Sequence, residues 1–164
     1  MTQDNQTFSL LSFQLGDELF GVNVTNVLEV LHNRGVTPIP RSETFVRGIV
    51  QFRGEIVTVI DFSEKLNLHN NAPTSGKVIV VFHVQSEAYS FKVGVLADDV
   101  KAVDQVSALK IQPVEEVNHY FNPEFLKGVY ERNSEFVIVL DIDKIFSEKE
   151  IQLIKQSATN EKNK

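Results

Sequence analysis

The side chains that most often carry chemistry are few in this sequence and are not grouped along it. There are four histidines and no cysteine, so a thiol nucleophile and a cysteine-ligated metal are excluded. The histidines lack the His-x-x-x-His spacing that places two metal ligands on one helix face; they are His32, His69, His83 and His119. Because their neighbours are polar, we expect them on the surface or in loops.

Two pairs of aspartates remain as candidates for binding a hard cation, Asp98 with Asp99 and Asp141 with Asp143. Neither pair has the glycine and glutamate spacing of a calcium loop. Acidic residues that follow a strand and precede a helix also favour the positive end of the helix dipole. We therefore predict that the chain binds no metal or other cofactor.

The glycines form neither the Gly-x-Gly-x-x-Gly pattern nor a phosphate-binding loop, and no Gly-x-Ser-x-Gly elbow is present. Without a catalytic constellation, the sequence predicts a protein that is not an enzyme. One basic residue has a favoured position. Arg53 falls at a predicted hairpin tip, where a rigid scaffold presents a side chain to a partner, and arginine is enriched at interface hot spots.

The charge of the chain points to a protein partner. Its formal net charge is −6, and its isoelectric point is about 5.2. Nucleic acid and anionic membranes are disfavoured as main partners, since both require clustered lysine and arginine. The sequence has no basic leader and no apolar run of about 18 residues. We therefore predict a cytoplasmic protein with no direct membrane insertion.

Short strands dominate the sequence pattern, because many segments alternate apolar and polar residues with a period of two. The predicted strands are Phe8–Leu15, Leu19–Val24, Gly48–Phe52, Ile56–Ile60, Lys77–Val84, Ser90–Leu96, Gly128–Arg132 and Phe136–Leu140. Hairpins are predicted at Gly16-Asp17, at Arg53-Gly54-Glu55 and at Asn133-Ser134. Many short strands with regular turns indicate a barrel or a sandwich.

Helical patterns are few and short. One is predicted over Thr25–Leu31, and a second follows Asp61. A third is predicted over 147–157, where Ser147 and Glu150 form a capping box ahead of an apolar face that should dock on the barrels. The segment 67–76 is interpreted as a linker and 158–164 as a loose tail.

An internal repeat organises the chain. The segment Phe45–Asp61 aligns with Phe125–Asp141 without a gap, at an offset of 80 residues. We interpret residues 1–164 as one domain made of two similar β units, 7–70 and 77–146. Each unit is too small for a large core of its own, so the units should pack along an apolar seam that buries a third cluster and forms a groove.

Several strings together resemble the CheW-like chemotaxis adaptor family over roughly residues 8–146. They are Leu15-Gly-Asp-Glu-Leu-Phe-Gly-Val22, Val27-x-Glu-Val30, Thr37-Pro-Ile-Pro40, Phe45–Asp61 and Val93-Gly-Val-Leu-Ala-Asp-Asp-Val100. Each string is short, but their order and spacing are specific. The resemblance implies an all-β fold of two five-stranded SH3-like barrels with a few short helices.

The resemblance also implies a function and a binding surface. Members of this family couple methyl-accepting chemoreceptors to the regulatory domain of the histidine kinase CheA, are monomeric alone, and assemble into rings with the kinase at membrane-associated arrays. Receptor contact in the family falls along the groove between the barrels. The positions of this sequence that match are Val27, Glu29, Arg53, Val100 and Val103, with Gly48 and Gly54 as structural residues near the site. Glu29 and Arg53 resemble the family's charged pair beside the groove.

Two departures from the family pattern and three alternatives accompany this interpretation. Gln51-Phe52 stands where the family commonly has Asn-Leu, and Thr58 stands where it commonly has proline. The three valines of the proposed surface are alternatively core residues. The chain is alternatively a specialised adaptor that recruits another protein, or a small-ligand enzyme or sensor that uses the groove.

Overall fold

The computed structural model describes residues 6–40, 43–63, 65–66, 76–113 and 123–162. This part of the chain forms ten strands: β1 (Thr7–Leu15), β2 (Glu18–Asn23), β3 (Val27–His32), β4 (Val46–Phe52), β5 (Glu55–Ile60), β6 (Val78–Gln85), β7 (Ser90–Ala97), β8 (Asp99–Ser107), β9 (Leu126–Arg132) and β10 (Glu135–Leu140). A helix, α1, spans Glu148–Lys162. All eight predicted strands and the all-β fold class are confirmed. No helix in the described residues is both long and apolar enough to span a membrane.

The strands form two five-stranded sheets with the same internal order. Sheet I runs β8-β1-β2-β10-β9, and sheet II runs β3-β6-β7-β5-β4. Each contains one parallel pair, β10 with β2 in sheet I and β5 with β7 in sheet II. The repeat explains the match, because β4 and β5 correspond to β9 and β10 at the offset of 80 residues.

The boundaries predicted for the two β units are wrong. Units 7–70 and 77–146 do not coincide with the sheets, since sheet I combines β1 and β2 with β8, β9 and β10. Each repeat gives two strands to one sheet and three to the other. The exchange occurs after β2, where a short 3-10 turn (Val24–Asn26) leads directly into β3 of the other sheet. Asn23 caps this turn through its side-chain oxygen, which accepts the Thr25 N–H at 3.0 Å.

Three buried clusters hold the two sheets, as the repeat predicts. All five strands of sheet I contribute side chains or packed neighbours to one cluster that includes Leu10 and Val137, so this sheet curls into a barrel-like unit. Sheet II does the same around Phe52 and Val59. The third, which we call the seam cluster, lies between the sheets; it includes Leu11, Phe13, Phe20 and Leu140 from sheet I, Val80, Phe82 and Val93 from sheet II, and Ile151 and Ile154 from α1.

The predicted helix over Thr25–Leu31 is wrong, because β3 occupies most of it. β3 is an edge strand with an irregularity between Val27 and Glu29, and its apolar residues serve two cores. Val27 packs on the seam cluster, whereas Leu28 and Leu31 pack inside sheet II. A bulged strand that is apolar on both faces has apolar residues three apart, which imitates helical periodicity. Strand β8 was not predicted, for the same reason: it is the equivalent edge of sheet I, with a register shift opposite Ser12 and Phe13.

The C-terminal helix confirms its predicted start and extends past its predicted end. The Ser147 Oγ accepts the Glu150 N–H at 3.1 Å, and a Glu150 carboxylate oxygen accepts the Ser147 N–H at 2.9 Å. Ile151 and Ile154 are buried on the seam cluster, so the helix docks as expected. It continues to Lys162, so the tail predicted from residue 158 is helical over its described part. After Asp61 the described residues form a turn with no further helix, and most of the predicted linker lies outside the described residues.

Candidate partner-binding surface

A charged pair joins the two edge strands of sheet II. Arg53 lies at the tip of the β4–β5 hairpin with a φ of 50°, followed by Gly54 at 80°. Positive φ at both central residues is the geometry of a tight two-residue hairpin turn. The Arg53 Nη2 lies 3.5 Å from an Oε1 of Glu29 on β3, and both side chains are largely exposed. The structure thus brings together the two charged residues that the resemblance placed beside the groove.

The guanidinium of Arg53 also lies over an aromatic ring. Its central carbon is 4.7 Å from the centroid of the Phe52 ring, a distance at which a cation is attracted to the face of the ring. Phe52 itself is buried in the core of sheet II. Sequence reasoning treated Phe52 only as a departure from the family pattern and missed this contact.

At Gly48, next to this surface, the backbone of β4 lies very close to the backbone of Thr37. Its φ is 147°, and a Cβ there would lie 2.1 Å from the carbonyl oxygen of Thr37. The backbone groups of Thr37 and Ile49 exchange hydrogen bonds of 3.0 and 2.9 Å, so the segment before β4 is bound directly against it. Gly54 is different. A Cβ on it would meet no atom within 4 Å, so its requirement is the turn conformation alone.

The predicted valines lie on the two strands that flank the seam. Directly paired residues of antiparallel strands share a face. Val27 on β3 is paired with Phe82, and Val100 on β8 with Phe13, so both valines face the seam cluster and are half-buried against it. For these two residues the core interpretation is partly right.

Val103 is not a core residue. It is paired with Leu11 on the seam side of sheet I, yet it is 60% exposed. Val30 holds the corresponding place on β3, paired with Val80 and 37% exposed. Val30 was absent from the predicted site. We refer to Val27, Val30, Val100 and Val103, on β3 and β8, together as the valine row.

A second exposed apolar site lies at a hairpin end of sheet I. Phe136 on β10 is 65% exposed and lines a groove with Leu19 and Lys101. The carboxylates of Asp17 and Glu18, at the β1–β2 turn, line the same groove. A large exposed aromatic side chain with a charged rim is typical of a protein contact.

The two carboxyl groups with lowered pKa values have structural partners. Burial by itself would raise the pKa of Asp61, but hydrogen bonds from Ser63 and Arg47 hold it below its ordinary value. The Arg47 guanidinium lies 2.8 Å from Asp61 and ties the ends of β4 and β5 together. Both groups that lower this pKa stabilise the charged carboxylate, so Asp61 is not poised to donate a proton.

Glu150 is held in the same way at the start of α1. Burial would raise its pKa, but the Lys65 ammonium group and the hydrogen bonds of the capping box with Ser147 lower it. Lys65 contacts the Glu150 carboxylate directly and lies over the Phe125 ring. This ion pair anchors the helix to the segment that follows β5.

Two of the remaining candidates for chemistry, both aspartates, accept backbone hydrogen bonds within the fold. Asp98 accepts the Gly16 N–H at 2.7 Å, and Asp143 accepts the Gln85 N–H at 2.9 Å. Within the described ranges there is no group of three histidine, aspartate or glutamate side chains that could hold a metal ion. His83 lies 2.8 Å from the Ser90 hydroxyl at the mouth of a groove beside α1. His32 is exposed on β3, and the other two histidines lie outside the described residues.

The second departure from the family pattern has a structural explanation. Thr58 is buried on β5, and its hydroxyl donates a hydrogen bond of 2.9 Å to the backbone carbonyl of Ile154 in α1. Proline at this position has no hydroxyl and could not make this contact. Thr58 therefore binds the helix to sheet II and does not contribute to the exposed surface.

Comparisons with known proteins agree with this architecture. The model of the family described as CheW-like domain matches residues 9–150. A chemotaxis protein CheW of Treponema pallidum is 32% identical over 93% of this chain and 89% of the relative. One of Rhizobium meliloti is 31% identical over 86% and 88%. The crystal structure of the scaffolding protein TtCheW from Thermoanaerobacter tengcongensis superposes with a TM-score of 0.73 at 23% identity, covering 87% of this chain and 94% of that one.

Proposed function

Because this chain belongs to the CheW-like domain family, we propose that it is a chemotaxis scaffold that couples chemoreceptors to the histidine kinase CheA. In this proposal it binds a receptor tip and the kinase regulatory domain at separate surfaces. Its contribution is free energy of association, with no covalent step. The complex would form at membrane-associated receptor arrays, where the chain and the kinase alternate in rings.

The receptor surface is the part of the proposal with the most support. The observation that carries it is the exposed, ring-supported Arg53 beside Glu29, at the edge of the sheet that also carries Val27 and Val30. A receptor tip is a helical hairpin, and an amphipathic helix binds by placing apolar side chains into a groove. The valine row would receive those side chains, while Arg53 would orient the helix by hydrogen bonds at the rim.

The kinase surface is proposed at the hairpin end of sheet I. Phe136 supplies exposed apolar area there, on sheet I, whereas the β4–β5 hairpin belongs to sheet II. The CheA regulatory domain, which the family resemblance describes as having the same fold, would pair with it barrel to barrel. Separate surfaces are what a coupling protein requires, because the two partners must bind at the same time.

Titration calorimetry with each purified partner tests both assignments. Arg53→Ala should weaken binding to a receptor cytoplasmic fragment about tenfold, the loss typical of an interface arginine, and leave kinase binding unchanged. Phe136→Ala should do the reverse. The matched control is Asn133→Ala, because Asn133 holds the equivalent hairpin position with the same φ of 50°. It truncates a side chain at the same kind of turn without removing a guanidinium group.

The outcomes separate the alternatives. If neither partner binds the wild-type chain, the coupling role is wrong and an adaptor for a different protein is left. If both partners bind but Asn133→Ala weakens receptor binding as much as Arg53→Ala, the assignment of the receptor surface to Arg53 is wrong.

A further inference from the structure

At the tip of the β4–β5 hairpin, the exposed Arg53 side chain contacts both the Phe52 ring and Glu29. A solvent-exposed arginine needs neither contact. An arginine side chain has many accessible rotamers, and ordering it on binding opposes association. Here the guanidinium lies over the Phe52 ring, and Phe52 is only 3% exposed, so the ring is held in place by the core of sheet II. The flexible group therefore rests on a rigid support.

We infer that Phe52 is a positioning residue, whose ring holds the Arg53 guanidinium in the plane in which it recognises an oxygen acceptor of the receptor helix. This inference rests on the proposed function. It deepens that function by naming the residue that positions the Arg53 guanidinium and the class of oxygen acceptor that the guanidinium binds. The acceptor is a carboxylate or side-chain amide oxygen, which matches the planar fork of N–H donors on arginine.

The geometry of Glu29 supports the same conclusion. The guanidinium lies over the Phe52 ring and hydrogen-bonds through its N–H groups. Glu29 accepts there at 3.5 Å, the outer limit of a hydrogen bond, and both partners are exposed. An exposed pair of this length is weak, so a partner oxygen can replace the Glu29 carboxylate at little cost.

The second repeat shows that the arrangement is not a necessary feature of such a hairpin. At the positions of Phe52 and Arg53, the β9–β10 hairpin has Arg132 and Asn133. The Arg132 Nε lies 2.6 Å from an Asp104 carboxylate oxygen, so that guanidinium is engaged within the chain. The same backbone turn thus carries an aromatic support and an available guanidinium in one repeat and neither in the other.

The first experiment uses the free wild-type protein and needs no partner. Protons held above an aromatic ring resonate upfield of their ordinary positions. NMR should show upfield-shifted Arg53 side-chain protons with nuclear Overhauser contacts to the Phe52 ring, both lost in Phe52→Leu and both kept in Phe20→Leu. Phe20 is a buried residue of the seam cluster and controls for loss of a core ring. Arg53 side-chain shifts like those of a free arginine in the wild type would overturn the inference, whether or not the variants fold.

The second experiment is a double-mutant cycle on binding of the receptor fragment. Phe52→Leu should weaken binding about two- to fivefold, the range expected for an exposed cation–π contact. In the Arg53→Ala background the same change should have no further effect, since Phe52 acts through Arg53. An equal loss in both backgrounds, or no loss in the wild-type background, would overturn the inference. If the wild-type chain does not bind the fragment, the proposed function fails, and the NMR experiment decides the positioning of Arg53 by itself.

Discussion

Replacing Arg53 by asparagine should separate binding from stability. The wild-type residue has a φ of 50°, in the left-handed region that costs most residues about 1 kcal/mol and asparagine little. The substitution also removes the contact with the Phe52 ring, worth about 0.5–1 kcal/mol, and an exposed ion pair worth about 0–1 kcal/mol. Because the gain and the losses are similar in size, the free energy of unfolding should stay within about 1 kcal/mol of the wild-type value.

Arg53→Ala supplies the comparison that isolates the backbone effect. Alanine loses the same contacts but keeps the unfavourable φ, so it should be about 1 kcal/mol less stable than the asparagine variant. For a chain of this size that difference corresponds to about 2–4 °C in the melting temperature. Urea denaturation and thermal melts measure it directly.

Receptor binding should not follow this order of stability. Both variants lack the guanidinium, so both should bind the receptor fragment about tenfold more weakly than the wild type. Two results would refute the reasoning. One is an asparagine variant that binds like the wild type, and the other is an asparagine variant no more stable than the alanine variant.

Four further substitutions test the support behind the surface and the anchoring of α1. Gly48→Ala should destabilise the protein by about 3 kcal/mol or more, since its Cβ would overlap a backbone carbonyl. Gly54→Ala should cost only about 1–2 kcal/mol, because only its φ of 80° is unfavourable. Equal losses of stability in urea denaturation would contradict this difference. Thr58→Val removes the 2.9 Å hydrogen bond to α1, so it should lower stability by about 1 kcal/mol and speed amide hydrogen exchange in α1. Unchanged exchange would show that this hydrogen bond does not anchor the helix. The pKa of Glu150 is lowered in the folded chain, so its stabilising effect is present above its ordinary pKa of 4.5 and is lost as pH falls through the lower folded value. Glu150→Gln should therefore reduce stability at pH 7 and flatten this acid-side dependence, and an unchanged pH profile would refute it.

Eight of the ten described strands could be predicted from the sequence, including the edge strands β4 and β9, whereas the edge strands β3 and β8 could not. Central strands such as β5 and β6 appear as short apolar runs bounded by turn residues. The edge strands β3 and β8 are bulged, and β3 places apolar residues on both of its faces, so a period of two is lost. These two strands carry Val27, Glu29, Val100 and Val103, which means that the proposed binding surface lies where periodicity is least informative.

The exchange of strands between repeats could not be predicted from the sequence pattern either. Aligning Phe45–Asp61 with Phe125–Asp141 shows that the segments are alike, but it contains no information on which strands pair. Pairing depends on the short turn after β2, which leads the chain into the other sheet before the first can be completed.

The residues of the proposed binding site could be predicted from the sequence only in part. Arg53 could be predicted from its hairpin position, and Glu29 and the valines were implied by the family resemblance. The contact of Phe52 with Arg53 could not be predicted. A phenylalanine at a strand end predicts core packing, and nothing in the sequence shows that a neighbouring guanidinium lies over its ring.

Whether one chain holds both partners at once is the most direct test of the coupling role. The receptor cytoplasmic fragment is immobilised, and retention of the kinase regulatory domain is measured with and without the chain. We expect retention only when the chain is present, loss of retention with Arg53→Asn, and unchanged binding of that variant to the kinase domain in solution. Displacement of the receptor by saturating kinase domain would contradict the coupling role, because it would mean that the two partners compete for one surface.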